Sequence, residues 1–383
     1  MLYTKFPRHT AHTYLPPDTY AIGQRNIVRN KRWSYIMLIG YMHYRKSPVG
    51  LNRAYAFAAA ALAEGVELLY FSPGAVDFKK DVIDGYQYRD GEWKRTVSRF
   101  PDVIYNTNSF SQDKQVSAVD LLHEKIPFTS YSIGSKETVY QNLMKYETYG
   151  DYLVPSEKVL SAAHFFAFLE KHPEVVCKPT WGHQGMNVYH IKKEDNTFRI
   201  RLGAEEVRYD AGQTADFIQS KLKQEDYIVQ RYINCRTNAG LPYDFRLHVQ
   251  KGRGGKWVSP IIYPRISSNG SIVCNIGQGG YTSDIVGFLK REFGAQHHDI
   301  RKYVELFSLQ LAAHMDEIQK ELYGEELNEL GIDIGLDGAQ KIFVYEVNWR
   351  PGHPPFTNIN LSVIKHTVQY AMYLANRAES EGL

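Results

Sequence analysis

The sequence predicts an α/β fold in its first third and an α+β fold in the remainder. The order strand, helix, strand over residues 34–40, 51–63 and 66–71 is typical of parallel pairing in a small Rossmann-like sheet. Residues 243–251 instead alternate apolar and polar side chains, and Asp337-Gly338 separates two apolar runs, which indicates antiparallel strands. A chain of 383 residues is too long for one typical core, so two or three subdomains are expected.

The first segment contains two further elements. Residues 101–106 (PDVIYN) predict another strand, and Asp90-Gly91 predicts a hairpin over residues 85–93. Further helices are predicted over residues 136–145, 162–171, 215–223, 299–323 and 362–378. Further strands are predicted over residues 174–178, 188–192, 226–233, 243–251 and 257–266, followed by the hairpin around Asp337-Gly338.

Composition predicts a globular protein outside the membrane. Apolar residues make up 43% and charged residues 23%, and the longest apolar-rich run, 54–63, is too short to span a bilayer. Three widely spaced cysteines without a CxxC motif predict reduced, buried thiols in the cytoplasm. Net charge is only +3, so the basic N-terminus favours a solvated extension over a nucleic-acid surface.

The register of the last hairpin follows from the length of its turn. If residues 337–340 form a four-residue loop, Leu336 pairs with Lys341 and Asp333 lies opposite Val344. Asp333 is then expected to be a diagonal neighbour of a second acidic residue on the next strand.

That second acid is Glu346, which shares its strand face with Asn348. Two carboxylates and an amide oxygen converge with no evident basic partner, and an all-oxygen set suits Mg²⁺ or Mn²⁺. The alternative is an ordinary surface hairpin with scattered acids, although Val344 and Val347 favour a buried sheet.

Residues 175–188 predict an anion-binding loop after a strand. Lys178 lies at the end of the strand, Pro179 ends it, and Gly182 and Gly185 follow in the loop. The glycines allow backbone N–H groups to turn toward a phosphate, and Lys178 adds a point charge. There is no Walker A motif, and an ordinary β-turn is the alternative interpretation.

A Lys-bearing strand, a glycine loop, a strand over 227–233 and a D…ExN set occur in this order, which resembles the ATP-grasp superfamily. The resemblance is closer to the YheC/YheD family, the endospore coat-associated ATP-grasp proteins. It is carried by PDVIYN (101–106), SKETVYQ (135–141), YLVPSEK (152–158), CKPTWGHQG (177–185), YIVQRYI (227–233), YDFRLHVQ (243–250), GKWV (255–258), PRISSNGSIVCNIGQGG (264–280) and IDIGLD…VYEVNWRPG (332–352).

The resemblance implies three segments. They are an N-terminal Rossmann-like pre-ATP-grasp domain over 1–126, subdomain A with the phosphate loop over 127–225, and subdomain B with the metal site over 226–383.

It also implies roles for individual residues. Lys136 and Lys178 would bind phosphate, although Lys145 is a rival for the first position. Arg246 and Arg265 would be catalytic, stabilising the transferring phosphate, whereas the alternative for Arg246 is a salt bridge to Asp244. The remaining implied ligands are the phosphate loop Gly182, His183, Gln184 and Gly185, the adenine-side residues Gln230, Arg231 and Ile233, and the metal ligands Asp333, Glu346 and Asn348.

The implied activity is that of an ADP-forming carboxylate–amine ligase. ATP, with Mg²⁺ or Mn²⁺, would activate a carboxylate as an acyl-phosphate, and an amine or amino acid would displace the phosphate. The expected partners are that small-molecule amine and a carboxylate or peptide acceptor, with no membrane, in the cytoplasm and with spore association. The alternative is a non-catalytic, ATP-binding structural protein of the spore coat. The sequence leaves both substrates and the oligomeric state open.

Overall fold

The computed structural model describes residues 36–107, 113–180, 186–268, 271–351 and 357–382, and of residues 357–360 only the backbone. These residues lie within one compact unit that starts at Ile36. The described part of the chain forms three β-sheets. The predicted mixture of α/β and α+β architecture is confirmed.

The first sheet is built around parallel strands. Its elements are β1 (Leu38–Met42), α1 (Asn52–Ala63), β2 (Glu67–Phe71), β3 (Val76–Asp77), β4 (Val82–Arg89), β5 (Glu92–Arg99), β6 (Val103–Asn106) and α2 (Asp113–His123). β1 is central and runs parallel to both β2 and β6, whereas β3, β4 and β5 are joined by antiparallel pairing. The carboxyl ends of β1 and β6 therefore lie side by side, where α/β sheets commonly bind ligands.

The second sheet is antiparallel. Its elements are α3 (Lys136–Lys145), β7 (Ser156–Lys158), α4 (Ala162–Lys171), β8 (Glu174–Pro179), β9 (Tyr189–Glu194), β10 (Thr197–Leu202), β11 (Glu205–Tyr209), α5 (Ala211–Leu222) and β12 (Tyr227–Arg231). The strand order is β11-β10-β9-β8-β12-β7. β12 pairs with β7 and β8, so it belongs to this sheet. It does so although the predicted boundary between residues 225 and 226 assigns it to subdomain B. The three-segment division of the chain stays a prediction.

The third sheet carries the predicted metal hairpin. Its elements are β13 (Tyr243–Lys251), β14 (Trp257–Ile266), β15 (Tyr281–Thr282), α6 (Ile285–Phe293), α7 (His297–Tyr323), β16 (Glu329–Leu336) and β17 (Ile342–Trp349). The strand order is β15-β14-β13-β16-β17. Phe245 and Leu247 of β13 pack in one core with Phe307 and Leu311 of α7. That packing leaves the alternate, polar face of β13 for other contacts.

The last helix, α8 (Thr357–Glu381), returns to the first sheet. Its residues Val368 and Leu374 share a core with Ile39 of β1 and Phe57 of α1. The end of the chain therefore covers a face of the sheet with which the described part begins. Among the described helices, none combines the length and the apolar character needed to cross a bilayer.

The β16–β17 hairpin starts in a register different from the predicted one. Leu336 pairs with Ile342 and not with Lys341. The cause lies in the turn, where the Asp337 side chain accepts hydrogen bonds from the backbone N–H groups of Ala339 and Lys341, each at 2.9 Å. This Asx-type turn takes one residue more than the expected loop.

A β-bulge then changes the register a second time. Ile334 pairs with Val344, but the next pair is Asp333 with Glu346, so Tyr345 is the extra residue. The prediction that Asp333 lies opposite Val344 is wrong. The bulge instead places Asp333 directly across from Glu346, closer than the diagonal position expected from the sequence.

Candidate active site

A cleft of about 540 Å³ is lined by residues of the second and third sheets. That volume is in the range of small-molecule sites. The predicted site residues that the structure describes all line it: Lys136, Lys178, Gln230, Arg231, Ile233, Arg246, Arg265, Asp333, Glu346 and Asn348. The predicted loop residues Gly182, His183, Gln184 and Gly185 lie outside the described residues. The roles of the individual residues stay predictions.

Lys178 is held by a residue of the neighbouring strand. Its Nζ donates to Oε1 of Gln230 at 3.0 Å, across the antiparallel β8–β12 pair. Nε2 of Gln230 donates in turn to Oγ of Ser156 at 2.9 Å, which fixes the orientation of the amide. The carbonyl oxygen expected to accept from adenine therefore already accepts from a lysine.

Burial lowers the pKa of Lys178 to about 8. The residue as a whole is partly exposed, but protein surrounds the ammonium group, and desolvation disfavours the charged form. Nearby Lys136 lowers the pKa further, whereas Glu346 and Asp333 act in the opposite direction. A phosphate beside this ammonium would favour its charged form.

Two arginines and two aspartates alternate in the wall of the cleft. Arg265 donates from Nε and Nη2 to the two oxygens of Asp244, both at 2.7 Å, and its Nη2 lies 3.0 Å from Oδ2 of Asp333. Arg246 donates to both oxygens of Asp333, from Nε to Oδ1 and from Nη2 to Oδ2. All four side chains are largely buried. Buried charges of this kind are tolerated only when they are paired.

The contacts of this network differ from two expectations drawn from the sequence, one of them the alternative considered for Arg246. Asp333 has two basic partners, although the hairpin sequence showed none. Arg246 bonds to Asp333 and not to Asp244, because Asp333 is its cross-strand neighbour while Asp244 is the neighbour of Arg265. Both partners come from strands distant in sequence, so the hairpin alone gave no sign of them.

The two aspartates differ in protonation behaviour. Burial raises the pKa of Asp244, and the favourable effect of Arg265 does not fully offset it. Burial also acts to raise the pKa of Asp333, but Arg265 and Arg246 outweigh it and hold the pKa below the usual value. Asp333 is therefore a permanent anion at neutral pH.

Glu346 is paired with the first residue of α3. Nζ of Lys136 lies 3.3 Å from Oε2 of Glu346. Lys136 is placed there because Ser135 caps the helix, its Oγ accepting from the backbone N–H of Thr138 at 3.1 Å. Lys136, which is predicted to bind ATP, is thus bonded to Glu346, which is predicted to bind the metal ion.

The donor set fits a hard cation. Asp333, Glu346 and Asn348 supply only oxygen ligands, as Mg²⁺ prefers. Oδ1 of Asp333 accepts one hydrogen bond and retains a lone pair, whereas Oδ2 accepts two. Within the described part of the chain, no group of three His, Cys, Asp or Glu residues could hold a metal, so a site here relies on the Asn348 amide.

On the predicted adenine side, backbone groups are partly engaged. The N–H of Arg231 donates to the carbonyl of Pro155 at 2.9 Å, and the carbonyl of Ile233 accepts from Cys235 at 2.9 Å. The Arg231 guanidinium lies 4.7 Å from the ring centre of Phe343. Hydrogen bonds to a base would therefore use the groups that these contacts leave free.

Sequence reasoning missed several residues near the site. Ser156 was not considered, and nothing local in the sequence marks it as the partner of Gln230. Helix α2 was not predicted, although Val116, Val119 and Leu122 recur at helical spacing and would have indicated it. His123, the last residue of α2, lines a second cavity next to the cleft.

Solved structures share this arrangement of sheets. The chain is similar to the ATP-grasp ligase PsnB complexed with a phosphomimetic variant of its minimal precursor, Mg and ADP, with a TM-score of 0.51, 12% identity, and coverage of 88% of this chain and 98% of the other. It is also similar to D-alanyl-alanine synthetase A from Vibrio cholerae, with a TM-score of 0.50, 10% identity, and coverage of 89% and 98%. The fold is that of the ATP-grasp class.

Sequence comparison narrows the class to a family. The chain belongs to the YheC/D-like ATP-grasp family, whose profile matches residues 125–374. It is 25% identical over 325 residues to the endospore coat-associated protein YheD of Bacillus subtilis, covering 80% of this chain and 70% of YheD. It is 24% identical over 314 residues to YheC of the same organism, covering 77% and 84%.

Proposed function

We propose that this protein is an ATP-dependent carboxylate–amine ligase that works through an acyl-phosphate. One observation carries the proposal. A single cleft brings together the cations Lys136, Lys178, Arg246 and Arg265 and the oxygen donors Glu346 and Asn348. Phosphoryl transfer needs this combination, since catalysis consists mainly of positioning and of neutralising charge on phosphate.

In the first step, a carboxylate oxygen attacks the γ-phosphorus of ATP. The bond from phosphorus to the bridging oxygen breaks, and ADP leaves with that electron pair. Lys178 and Lys136 hold the phosphates, and Arg265 and Arg246 stabilise the charge on the transferring group. Arg265 is suited to this task because Asp244 and Asp333 fix its orientation without closing all of its donors.

In the second step, an amine attacks the acyl carbon. Inorganic phosphate leaves with the electron pair of the C–O bond, the nitrogen loses a proton, and an amide remains. Asp333, Glu346 and Asn348 would hold Mg²⁺, which would supply positive charge to neutralise that of the phosphates. This chemistry requires no covalent intermediate on the protein.

ADP and phosphate release tests the proposed activity. Purified protein with Mg·ATP is screened against pairs of amines, amino acids, carboxylates and short peptides. We expect ADP release that requires both members of one pair and disappears in Lys178→Ala. Tight Mg·ATP binding without ADP release from any pair would contradict a ligase.

The Lys136–Glu346 ion pair predicts strong coupling between metal and nucleotide. ATP alone takes Lys136 away from Glu346, and Mg²⁺ alone takes Glu346 away from Lys136, so each ligand alone must break the ion pair. Bound together, they give both side chains new partners. We therefore expect Mg²⁺ to strengthen ATP binding by at least about tenfold, within the usual range of coupling between sites.

Glu346→Gln should remove most of this coupling and should strengthen metal-free ATP binding relative to wild type. Glu137→Gln is the matched control, because Glu137 follows Lys136 on α3 and bonds only to Gln141 at 3.2 Å among the contacts described. Isothermal titration of ATP with and without Mg²⁺ measures both effects. Equal coupling in wild type and Glu346→Gln would contradict the assignment.

Association with the spore coat is a second proposal. It is supported by the names of the two Bacillus subtilis relatives, both described as endospore coat-associated. A structural protein that has lost turnover would be free to lose the buried Asp244–Arg265–Asp333–Arg246 network, whose charges are costly to bury. Its presence favours a working enzyme at that location over an inactive remnant.

A further inference from the structure

A second cavity, of about 610 Å³, adjoins the cleft. The two share Ile133, Gly134, Trp349 and Arg350 in their walls, whereas Lys178 lines only the first. A molecule in the second cavity would therefore reach the proposed reaction centre past these four residues. The volume is large enough for an amino acid or a short peptide end.

Arg350 lies at the junction of the two cavities. Within the described residues, none of its three guanidinium nitrogens has a hydrogen bond, although all three are closed to solvent. Its backbone has φ of 52°, a region that non-glycine residues rarely adopt. Nε2 of His123, on the wall of the same cavity, is also unpartnered. Native proteins leave few such groups without a functional reason.

Charged groups of both signs surround Arg350, since Asp120 and Glu325 also line the second cavity, although within the described residues neither bonds to its guanidinium. The acidic groups that act on it are Tyr105 and Glu329. Arg53 faces the same two side chains and donates to the Tyr105 hydroxyl at 2.6 Å. Glu329 lies 3.1 Å from Nε2 of His248 as well. Glu329 thus acts on both guanidiniums, and within the described residues no carboxylate bonds directly to that of Arg350.

The geometry of the guanidinium favours a flat, singly charged anion. Its central carbon lies 3.5 Å from the ring centre of Trp349, so one face is covered by the indole. Trp349 is itself fixed, since Nε1 donates to Oγ of Ser130 at 2.8 Å. A ligand is left with the edge of the guanidinium, whose parallel N–H groups match the two oxygens of a carboxylate.

We propose that the second cavity is a substrate subsite in which Arg350 binds a carboxylate that takes no part in bond formation. The inference rests on the proposed ligase function for the reacting groups. It adds that one substrate carries an unreactive carboxylate, as an amino acid does when its amine reacts. Because its nitrogens are closed to solvent, carboxylate binding requires the Arg350 side chain to turn toward the cavity.

A matched pair of probes tests this subsite without requiring turnover. N-acetylglycine and N-acetylglycinamide differ only in carboxylate against amide, and calorimetry measures the binding of each to the full chain with and without Mg·ADP. We expect wild type to prefer the carboxylate by about tenfold or more, as for loss of a charged hydrogen bond. Arg350→Met should abolish that preference, and Arg350→Lys, which keeps the charge but not the fork, should keep part of it.

Stability provides a second readout. Removing an unpartnered buried cation should leave the ligand-free Arg350→Met protein at least as stable as wild type, whereas removing a structural arginine would destabilise it. Arg95→Met is the control, since Arg95 is exposed and pairs with Asp84 on the surface. Failure of wild type to bind or prefer N-acetylglycine, or an unchanged preference in Arg350→Met, overturns the inference. Mg·ATP binding is measured in the same samples, so failure of the proposed function is seen separately.

Discussion

Arg265→Met should lower the free energy of unfolding by about 3–5 kcal/mol, the usual cost of breaking a buried ion pair from one side. Arg265 supplies both hydrogen bonds to Asp244 and one contact to Asp333, and all three residues are less than 10% exposed. Methionine has a similar length, so little cavity is left behind. The lost free energy of unfolding therefore comes mainly from the unpaired charge of Asp244. Urea denaturation measures the change.

The loss should shrink at low pH. Burial already raises the pKa of Asp244, and removing Arg265 raises it further, so the folded variant takes up a proton before the unfolded chain does. Acid therefore stabilises the variant relative to pH 8, until both states are protonated. Adding Asp244→Asn should recover part of the stability. Arg95→Met, at an exposed pair with Asp84, should change stability by less than about 1 kcal/mol. Equal losses in both arginine variants would contradict the network.

Lys178→Met should weaken Mg·ATP binding by about 10- to 100-fold, because a charged hydrogen bond to phosphate is lost. Wild-type affinity should also fall as pH rises above 8. The pKa of Lys178 is about 8 in the empty cleft, and phosphate raises it, so ATP binding takes up a proton between the two pKa values. Within that range, the affinity for Mg·ATP should fall by up to about tenfold per pH unit.

Lys178→Arg keeps the positive charge but removes the loss of a proton above pH 8. Arginine stays protonated through pH 9.5, so this variant should bind Mg·ATP with little pH dependence, whatever its absolute affinity. Phosphate groups are fully ionised above pH 7.5 and add no slope of their own. Calorimetry between pH 7.5 and 9.5, repeated in two buffers, measures affinity and proton uptake together. A pH slope in Lys178→Arg equal to that of wild type would assign the titration to another group.

The sequence predicted much of the fold because its strongest signals are local. The helices at 136–145 and 162–171 have clear periodicity with Ser135 and Ser161 as caps, and the structure has both with these bounds. The strand, helix, strand order over residues 34–71 likewise predicted that its two strands pair in parallel. Strand partners were harder, since β12 joins β7 and β8 only through contacts distant in sequence.

The residues that line the cleft were predicted better than the bonds between them. Alternation placed Glu346 and Asn348 on one face, and the expected turn register placed Asp333 diagonally beside Glu346. The bulge at Tyr345, which sets Asp333 directly opposite Glu346, has no simple sequence signature. The arginine partners of Asp333 come from β13 and β14, and only the assembled sheet brings those strands beside the hairpin.

Calorimetric titration of Mg·ATP into the wild type, Lys178→Ala and Glu346→Ala tests the central claim most directly. The claim is that the cleft between Lys178 and the Asp333–Glu346–Asn348 set is a metal-dependent ATP site. We predict binding to wild type that requires Mg²⁺ and is lost or greatly weakened in both variants while they remain folded. No binding to folded wild type, or equal binding to all three proteins, would contradict it.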